Sequence, residues 1–182
     1  DVNEAPSIST GATGSVDENA AQSTVVYSAV ASDVDAGDSI TFSVAGADSS
    51  LVSIDPSSGE VTLDSSANHE VKDSYSFDVI ATDNGNLTDT QPVTVSVSDV
   101  NDAPVITSGA TGSVFENATS STVIYDVDAT DEDLDTLTYS VSGTNAGQVG
   151  IDSDDGEIRL NSPADFETQS SYNFTVSVTD GL

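Results

Sequence analysis

Tyr75-Ser76-Phe77-Asp78-Val79-Ile80-Ala81-Thr82-Asp83 places Tyr75, Phe77, Val79 and Ala81 at every second position and then stops on a carboxylate. Successive side chains of a strand point to opposite faces, so these four belong to one buried face of a sheet. The run returns 97 residues later as Tyr172, Phe174, Val176 and Val178, followed by Asp180. Other rows have the same period: Val25/Tyr27/Ala29/Ala31, Ile40/Phe42/Val44 and Val93/Val95/Val97, then Val123/Tyr125/Val127/Ala129 and Leu137/Tyr139/Val141. Asp55-Pro56-Ser57-Ser58-Gly59 and Asp152-Ser153-Asp154-Asp155-Gly156 carry turn chemistry between shorter strands. With no helical period and about seven strands per unit, the fold class is all-β, an antiparallel Greek-key β-sandwich present twice.

The two copies align closely. Gly11-Ala12-Thr13-Gly14-Ser15-Val16 returns as Gly109-Ala110-Thr111-Gly112-Ser113-Val114, and Glu18-Asn19-Ala20 as Glu116-Asn117-Ala118. Past Asp33 and Asp131 the second copy is one residue shorter, so the offset falls from 98 to 97. A connector, Asp99-Val100-Asn101-Asp102-Ala103-Pro104, echoes the leading Asp1-Val2-Asn3-Glu4-Ala5-Pro6. The expected organisation is a leading linker at 1–6, a first domain at 7–98, a linker at 99–104 and a second domain at 105–182. The second copy stops at Leu182, before a counterpart of the strand near Gln91–Ser98, so its sandwich should expose an edge open to pairing with another chain. Beginning on a linker motif and stopping after one strand, the chain reads as a piece of a longer array.

Of the 182 residues 32 are acidic, against Lys72 and Arg159 as the only lysine and arginine, for a formal charge of −30. Nothing here neutralises phosphates, so neither nucleic acid nor an anionic membrane is an expected partner. Such acidity could mean disorder, but regular alternation of Val, Ile, Tyr and Phe between turns argues for a packed fold. That fold must overcome self-repulsion, and a bound cation is expected to help it do so. There is no cysteine to form disulfides and no long apolar run for a membrane span or signal peptide.

Strand directions sort the acids to two poles of each domain. Glu18, Asn68 and Glu70 belong where the first copy's chain leaves; Asp33, Asp35 and Asp83 belong where it enters. The junction then gathers Glu18, Asn68 and Glu70, the connector's Asp99, Asn101 and Asp102, and Asp131, Asp133 and Asp180 of the second copy. Carboxylates a few ångströms apart repel by several kcal/mol at an effective dielectric of about 20. A hard divalent cation with roughly 6–8 oxygen ligands relieves that repulsion, and Ca2+ accepts irregular ligand mixtures better than Mg2+. Transition metals are disfavoured, with no thiolate and only one imidazole, His69.

These motifs together resemble the cadherin repeat: Glu-Asn after the first strand, Ile-Asp-Pro-x-x-Gly-x-Val at 54–61, Ala-x-Asp at 81–83, the Asp-x-Asp pairs and the Asp-x-Asn-Asp-x-Pro linker. The resemblance covers all of the first copy and the second up to its missing strand. It implies about three Ca2+ ions at the junction, each held by oxygen ligands. The first would use Glu18, Glu70, Asp102 and position 68. The middle one would use Glu18, Glu70, Asp99, Asp102, Asp133 and the Val100 carbonyl. The third would use Asn101, Asp131, Asp133, Asp180 and the Ala103 carbonyl. Asn68 stands where the family usually has aspartate, and should weaken the first ion's site. Two partial poles are also implied: Asn3 with Asp33, Asp35 and Asp83, and Glu116 with Asp165 and Glu167.

An EF-hand reading of Asp131–Asp135 fails, since Thr136 stands where glycine is needed and Ser142 where glutamate is needed. Asp48, Asp64, Asp73, Asp89, Asp126 and Asp128 are expected on the solvated surface. Serines without a Gly-x-Ser-x-Gly elbow, and acids that recur at every pole, argue against an enzyme. The expected function is a calcium-binding tandem module of an extracellular, cell-surface adhesin. Its expected partners are calcium, neighbouring repeats and another adhesin molecule or a polysaccharide, and its composition suggests a bacterial source. The alternative is a polysaccharide-binding module of a secreted or surface protein, with Phe115 and Phe166 as the aromatic faces outside the core rows.

Overall fold

A computed structural model describes residues 2–35 and 37–182. The chain divides into two compact units, Asp1–Val100 and Asn101–Leu182, with the division inside the connector. Among the described residues the helical structure is one 3-10 turn at Ala146–Gln148, and no helix is long and apolar enough to cross a membrane.

The first unit contains β1 (Ser7–Ile8), β2 (Thr13–Asp17), β3 (Val25–Ser28), β4 (Ala31–Ser32), β5 (Thr41–Ala45), β6 (Val52–Ile54), β7 (Glu60–Leu63), β8 (Ser74–Thr82) and β9 (Thr88–Ser98). One sheet runs β2-β9-β8-β5, the second β3-β7-β6, and β1 pairs with β4. Alternation along β8 buries Tyr75, Phe77, Val79 and Ala81, which join Val93, Val95 and Val97 of β9 in one core. β8 lies antiparallel to both neighbours, with Phe42 opposite Ala81 and Val95 opposite Tyr75.

Two details depart from the sequence reading. β2 pairs parallel with β9, Val16 opposite Val97, so the sandwich is not antiparallel throughout. Its first sheet strand and its last therefore run the same way, which brings the chain in at one pole and out at the other. The second departure is a bulge between Val25 and Tyr27, opposite Thr62 and Val61 of β7. A bulge puts two consecutive residues against one partner and breaks the two-residue period. Val26 and Tyr27 are both buried as a result, while Val25, expected inside, is 44% exposed.

Polar groups also hold this unit together. Asp55 accepts hydrogen bonds from the Ser57 hydroxyl at 2.6 Å and from the Ser57 and Ser58 amides at 2.8 and 2.9 Å, closing the β6–β7 turn. Those donors, the hydroxyl first, hold its carboxyl at about 2, below the usual 3.8. A lowered folded-state value contributes stability above the unfolded value and loses it as the pH falls through the folded one. In denaturant titrations Asp55→Asn should therefore be less stable than the parent above about pH 4, with the gap closing as the pH approaches about 2. Two acids expected merely to be solvated have structural partners. Asp89 accepts the Ile8 amide at 2.8 Å and so ties β1 to β9; Asp48 accepts the Ser76 amide at 2.7 Å and pairs with Lys72 at 3.1 Å.

The second unit contains β10 (Val105–Ile106), β11 (Val123–Asp126), β12 (Ala129–Thr130), β13 (Thr138–Ser142), β14 (Val149–Ile151), β15 (Glu157–Leu160) and β16 (Thr175–Thr179). Its sheets run β11-β15-β14 and β13-β16, with β10 paired to β12. A separate core gathers Val127, Tyr139, Val149, Ile158, Leu160 and Ala164. The bulge recurs between Val123 and Tyr125. Residues 111–115, which match β2 almost letter for letter, carry no strand. A strand needs a hydrogen-bonded neighbour, and the only neighbour of β2 in its sheet is β9. Tyr172, Phe174, Val176 and Val178 are half-buried.

Candidate metal centres

At the pole where the first unit's chain leaves, β2 delivers Glu18 into a buried position, 3% exposed. One of its oxygens accepts the His69 amide at 2.8 Å and the other accepts the Val100 amide at 2.7 Å. These two donors, His69 first, hold the Glu18 carboxyl below its ordinary value despite burial. A single carboxylate thus fastens both the loop before β8 and the start of the connector. Glu18, Glu70 and Asp99 bring carboxylate oxygens within 4.8 Å of one another. The His69 imidazole stands 3.3 Å from Glu70 and 3.8 Å from Asp99. Asn68 accepts the Val71 amide at 2.8 Å through its side-chain oxygen, closing the turn that presents Glu70.

At the opposite pole Asn3 donates to Asp83 at 2.8 Å, and the Glu4 amide donates to Asp35 at 2.9 Å. Asp83 is 5% exposed and also accepts the Leu87 amide at 2.8 Å, fixing the β8–β9 turn. Asp33, Asp35 and Asp38 offer ligand atoms within 4.8 Å of one another. Asp33 and Asp38 each have one buried oxygen, Oδ2, with no hydrogen-bond partner. Asp38 was not among the residues expected at this pole. Its signal is an acid that returns as Asp135 once the one-residue gap is placed between the Asp-x-Asp pair and this position.

The second unit repeats this arrangement with its own residues. Asn101 donates to Asp180 at 2.9 Å, matching Asn3 and Asp83. The Asp102 amide donates to Asp133 at 2.6 Å, matching Glu4 and Asp35. The Asn101 side chain, then the Leu182 amide, lower the Asp180 carboxyl. Asp131, like Asp33, has a buried Oδ2 without a hydrogen-bond partner. Leu134 sits in this loop at φ +62°, where the first copy has Gly37 at +104°. A left-handed backbone costs an L-residue about 1–2 kcal/mol, and glycine's larger unfolded-state entropy returns about 0.5–1 of that. Leu134→Gly should thus stabilise the second unit by about 0.5–1 kcal/mol, read from its denaturant midpoint.

The remaining expected residues do not converge. Glu116 is exposed and accepts only from Asn117, at 3.1 Å. Asp165 accepts the Thr168 hydroxyl at 2.8 Å, which lowers its carboxyl, and these two with Glu167 form no group within ligand distance. The two copies differ in what holds this glutamate. Glu18 is positioned by β2, by the Ser98 carbonyl that accepts its own amide at 3.0 Å and by Val100 beyond β9, and Glu116 has none of these. Of the connector, Asp99 and Val100 belong to the first unit, and Asn101, Asp102 and Ala103 to the second.

The donor chemistry fits a hard cation. The ligating atoms in these groups are carboxylate oxygens, with one imidazole, and the orphaned buried oxygens of Asp33, Asp38 and Asp131 would leave charge uncompensated. Lysine and arginine do not compensate it, because Lys72 pairs with Asp48 and Arg159 with Glu157.

A family model for the cadherin domain matches residues 12–98 and again 110–182. The chain belongs to the cadherin family. Mouse protocadherin Fat 2 is 35% identical over 158 residues, 84% of this chain and 4% of that protein. Drosophila dachsous is 36% identical over 178 residues, 92% of this chain and 5% of that protein. These tandem cadherin repeats thus span about a twentieth of such relatives. A solved structure of mouse cadherin-23 repeats EC22-24 superposes with a TM-score of 0.63 at 29% identity, covering 97% of this chain and 59% of that one. Cadherin membership agrees with the all-β architecture and with the resemblance read from the motifs.

Proposed function

We propose that these cadherin repeats form a calcium-binding module of an extracellular adhesion protein, in which Ca2+ stiffens the junction between repeats. The observation carrying this reading is the buried, partnerless Oδ2 at Asp33 and at its match Asp131, beside the same asparagine–aspartate bond in both copies. Leaving a buried carboxylate oxygen without hydrogen bond or counter-charge is costly, and finding it at matching positions of two repeats points to a recurrent ligand. The residues that would hold the ions at the junction are Glu18, Asn68, Glu70, Asp99, the Val100 carbonyl, Asn101, Asp102, the Ala103 carbonyl, Asp131, Asp133 and Asp180. Bound Ca2+ supplies positive charge and oxygen coordination. The chain supplies a connector fastened at Val100 to the first repeat and at Asp102 to the second, and the freedom left between those two points is what an ion would restrain.

Adhesion follows from the family, one of whose solved members is described as the extracellular cadherin domains 1-4 of protocadherin gamma B7, 28% identical to this chain. The expected partners are neighbouring repeats and another adhesion molecule. The bacterial source rests on the cysteine-free, Ala/Ser/Thr/Asp-rich composition, and the relatives named above are animal proteins. Phe115 and Phe166, 90% and 62% exposed, are the large exposed aromatics among the described residues. Nothing in the related proteins' names speaks for a polysaccharide.

The test is calcium calorimetry on the parent chain and Asp133→Ala. Asp133 is the acid proposed to serve two ions, so its loss should lower the number of ions bound and weaken the remainder by at least about tenfold. Unchanged stoichiometry and affinity would contradict the assignment.

A further inference from the structure

The turn between β8 and β9, Asp83-Asn84-Gly85-Asn86-Leu87, contains the one asparagine–glycine step among the chain's ten asparagines. We propose that Asn84-Gly85 is a self-modifying site, where Asn84 loses ammonia and becomes aspartate or isoaspartate, loosening this pole of the first repeat. The Gly85 amide gives its proton to hydroxide, and its nitrogen forms a bond to Asn84 Cγ. The Cγ–Nδ2 bond then breaks, Nδ2 takes a proton from water and leaves as ammonia, and a cyclic imide remains. Water adds to either imide carbonyl. Opening on one side restores the main chain with an aspartate, and opening on the other routes the main chain through Cγ as isoaspartate. Nucleophile and target are neighbours in the chain, so the step needs no partner but water.

Attack needs a backbone nitrogen that no side chain shields and no acceptor holds. Gly85 has no Cβ, Asn84 and Gly85 are both exposed, and among the described residues the Gly85 amide donates to nothing. Other asparagines are guarded. The amides that follow Asn3, Asn68, Asn86 and Asn101 are each held by a carboxylate, those of Asp35, Glu18, Asp83 and Asp133 in turn. A carboxylate acceptor keeps the proton on the nitrogen and so blocks the first step. The aspartate–glycine steps are guarded as well. The Gly156 amide donates to the Asp152 carbonyl at 3.0 Å, and the Gly181 amide to the Thr179 hydroxyl at 3.1 Å.

Asn84 also makes contacts that the change would break. Its Oδ1 accepts the Ser39 hydroxyl at 2.7 Å and its Nδ2 donates to Asp38 at 3.4 Å, tying this turn to the loop after β4. An aspartate keeps the acceptor for Ser39 but sets a second carboxylate against Asp38, where like charges repel. Isoaspartate lengthens the main chain beside Gly85, which packs so closely on Asn3 that an added Cβ would lie 2.5 Å from its Nδ2. That Asn3 side chain is the one holding Asp83. The position matching Asn84 in the second copy is Gly181, so the site belongs to the first repeat alone. This inference stands on the turn and not on the calcium reading.

The test incubates the full folded chain in warm neutral buffer and follows it by peptide mapping, ammonia release and thermal unfolding. Position 84 is expected to convert before any other asparagine, with ammonia released in step and both aspartate and isoaspartate formed. Its rate should stay within about tenfold of the rate in denaturant, because the fold leaves the Gly85 amide unheld. The aged chain should unfold at a lower temperature in its first repeat and at the same temperature in its second. Asn84→Gln, whose longer side chain closes the ring poorly, should keep both its mass and its unfolding temperature. Conversion first at another asparagine, or a folded rate more than about tenfold below the denatured one, would overturn the proposal. So would equal ageing of the parent and Asn84→Gln, or a first repeat whose unfolding temperature survives the conversion.

Discussion

Replacing Glu18 by alanine is expected to weaken calcium binding by at least about tenfold and to free the connector from the first repeat. Both oxygens of Glu18 already work as backbone acceptors, from His69 at 2.8 Å and Val100 at 2.7 Å. Hydrogen bonds to an ionised acceptor are stronger than neutral ones, which agrees with the lowered carboxyl. Removing the side chain deletes a proposed ligand and also unties the segment that carries Asp99. Calorimetry would read the calcium loss, and the Val100 amide would exchange faster with solvent. The matching Glu116→Ala should change stability little, since Glu116 is exposed and holds no backbone amide. Equal effects of the two substitutions would show that burial and backbone fastening do not make Glu18 special.

Phe77→Ala should cost about 3–5 kcal/mol, the range for removing a buried aromatic from a core. Phe77 is 3% exposed and meets Tyr27 edge-on, ring centroids 6.5 Å apart and 80° between planes. A domain of this size has about 5–15 kcal/mol in total, so the first repeat would be left close to its unfolding threshold. The two cores share no residue, and the second repeat's unfolding transition should stay where it was. Phe174 occupies the same place in the second copy but is only half-buried, tilted 54° against Tyr125 at 6.4 Å. Phe174→Ala should therefore cost less, about 1–2 kcal/mol of lost burial. Unfolding of each variant by heat or denaturant would read both values. Equal costs would mean that the difference in burial between the two rings does not set the cost.

Much of this architecture is legible in the alternation itself. Tyr75 to Ala81 and Val93 to Val97 pair without a bulge, and for these the two-residue period and the buried face coincide. The period fails at Val25, because the bulge is set by how β3 meets β7, a partner no local pattern names. The parallel pairing of β2 with β9 is hidden for the same reason, since register between strands 81 residues apart is a tertiary property. At the poles, Glu18, Asp33, Asp35 and Asp83 could be read because strand ends sort them. Asp38 escaped because a one-residue gap blurs its match with Asp135. Glu116 shows the converse limit: in an identical motif, Glu-Asn-Ala, the glutamate is exposed in one copy and buried in the other. What holds Glu18, the His69 and Val100 amides, lies outside the motif. Leu134 could not be anticipated, because a bulky residue at positive φ goes against its own preference.

The central claim is that calcium turns the connector from a hinge into a stiff joint. Small-angle scattering of the full chain in excess calcium and again in EDTA tests it most directly. The account predicts a single narrow distribution of lengths with calcium, and a broader one shifted to shorter distances after chelation, with each repeat still folded. Superimposable distributions in the two conditions would contradict it.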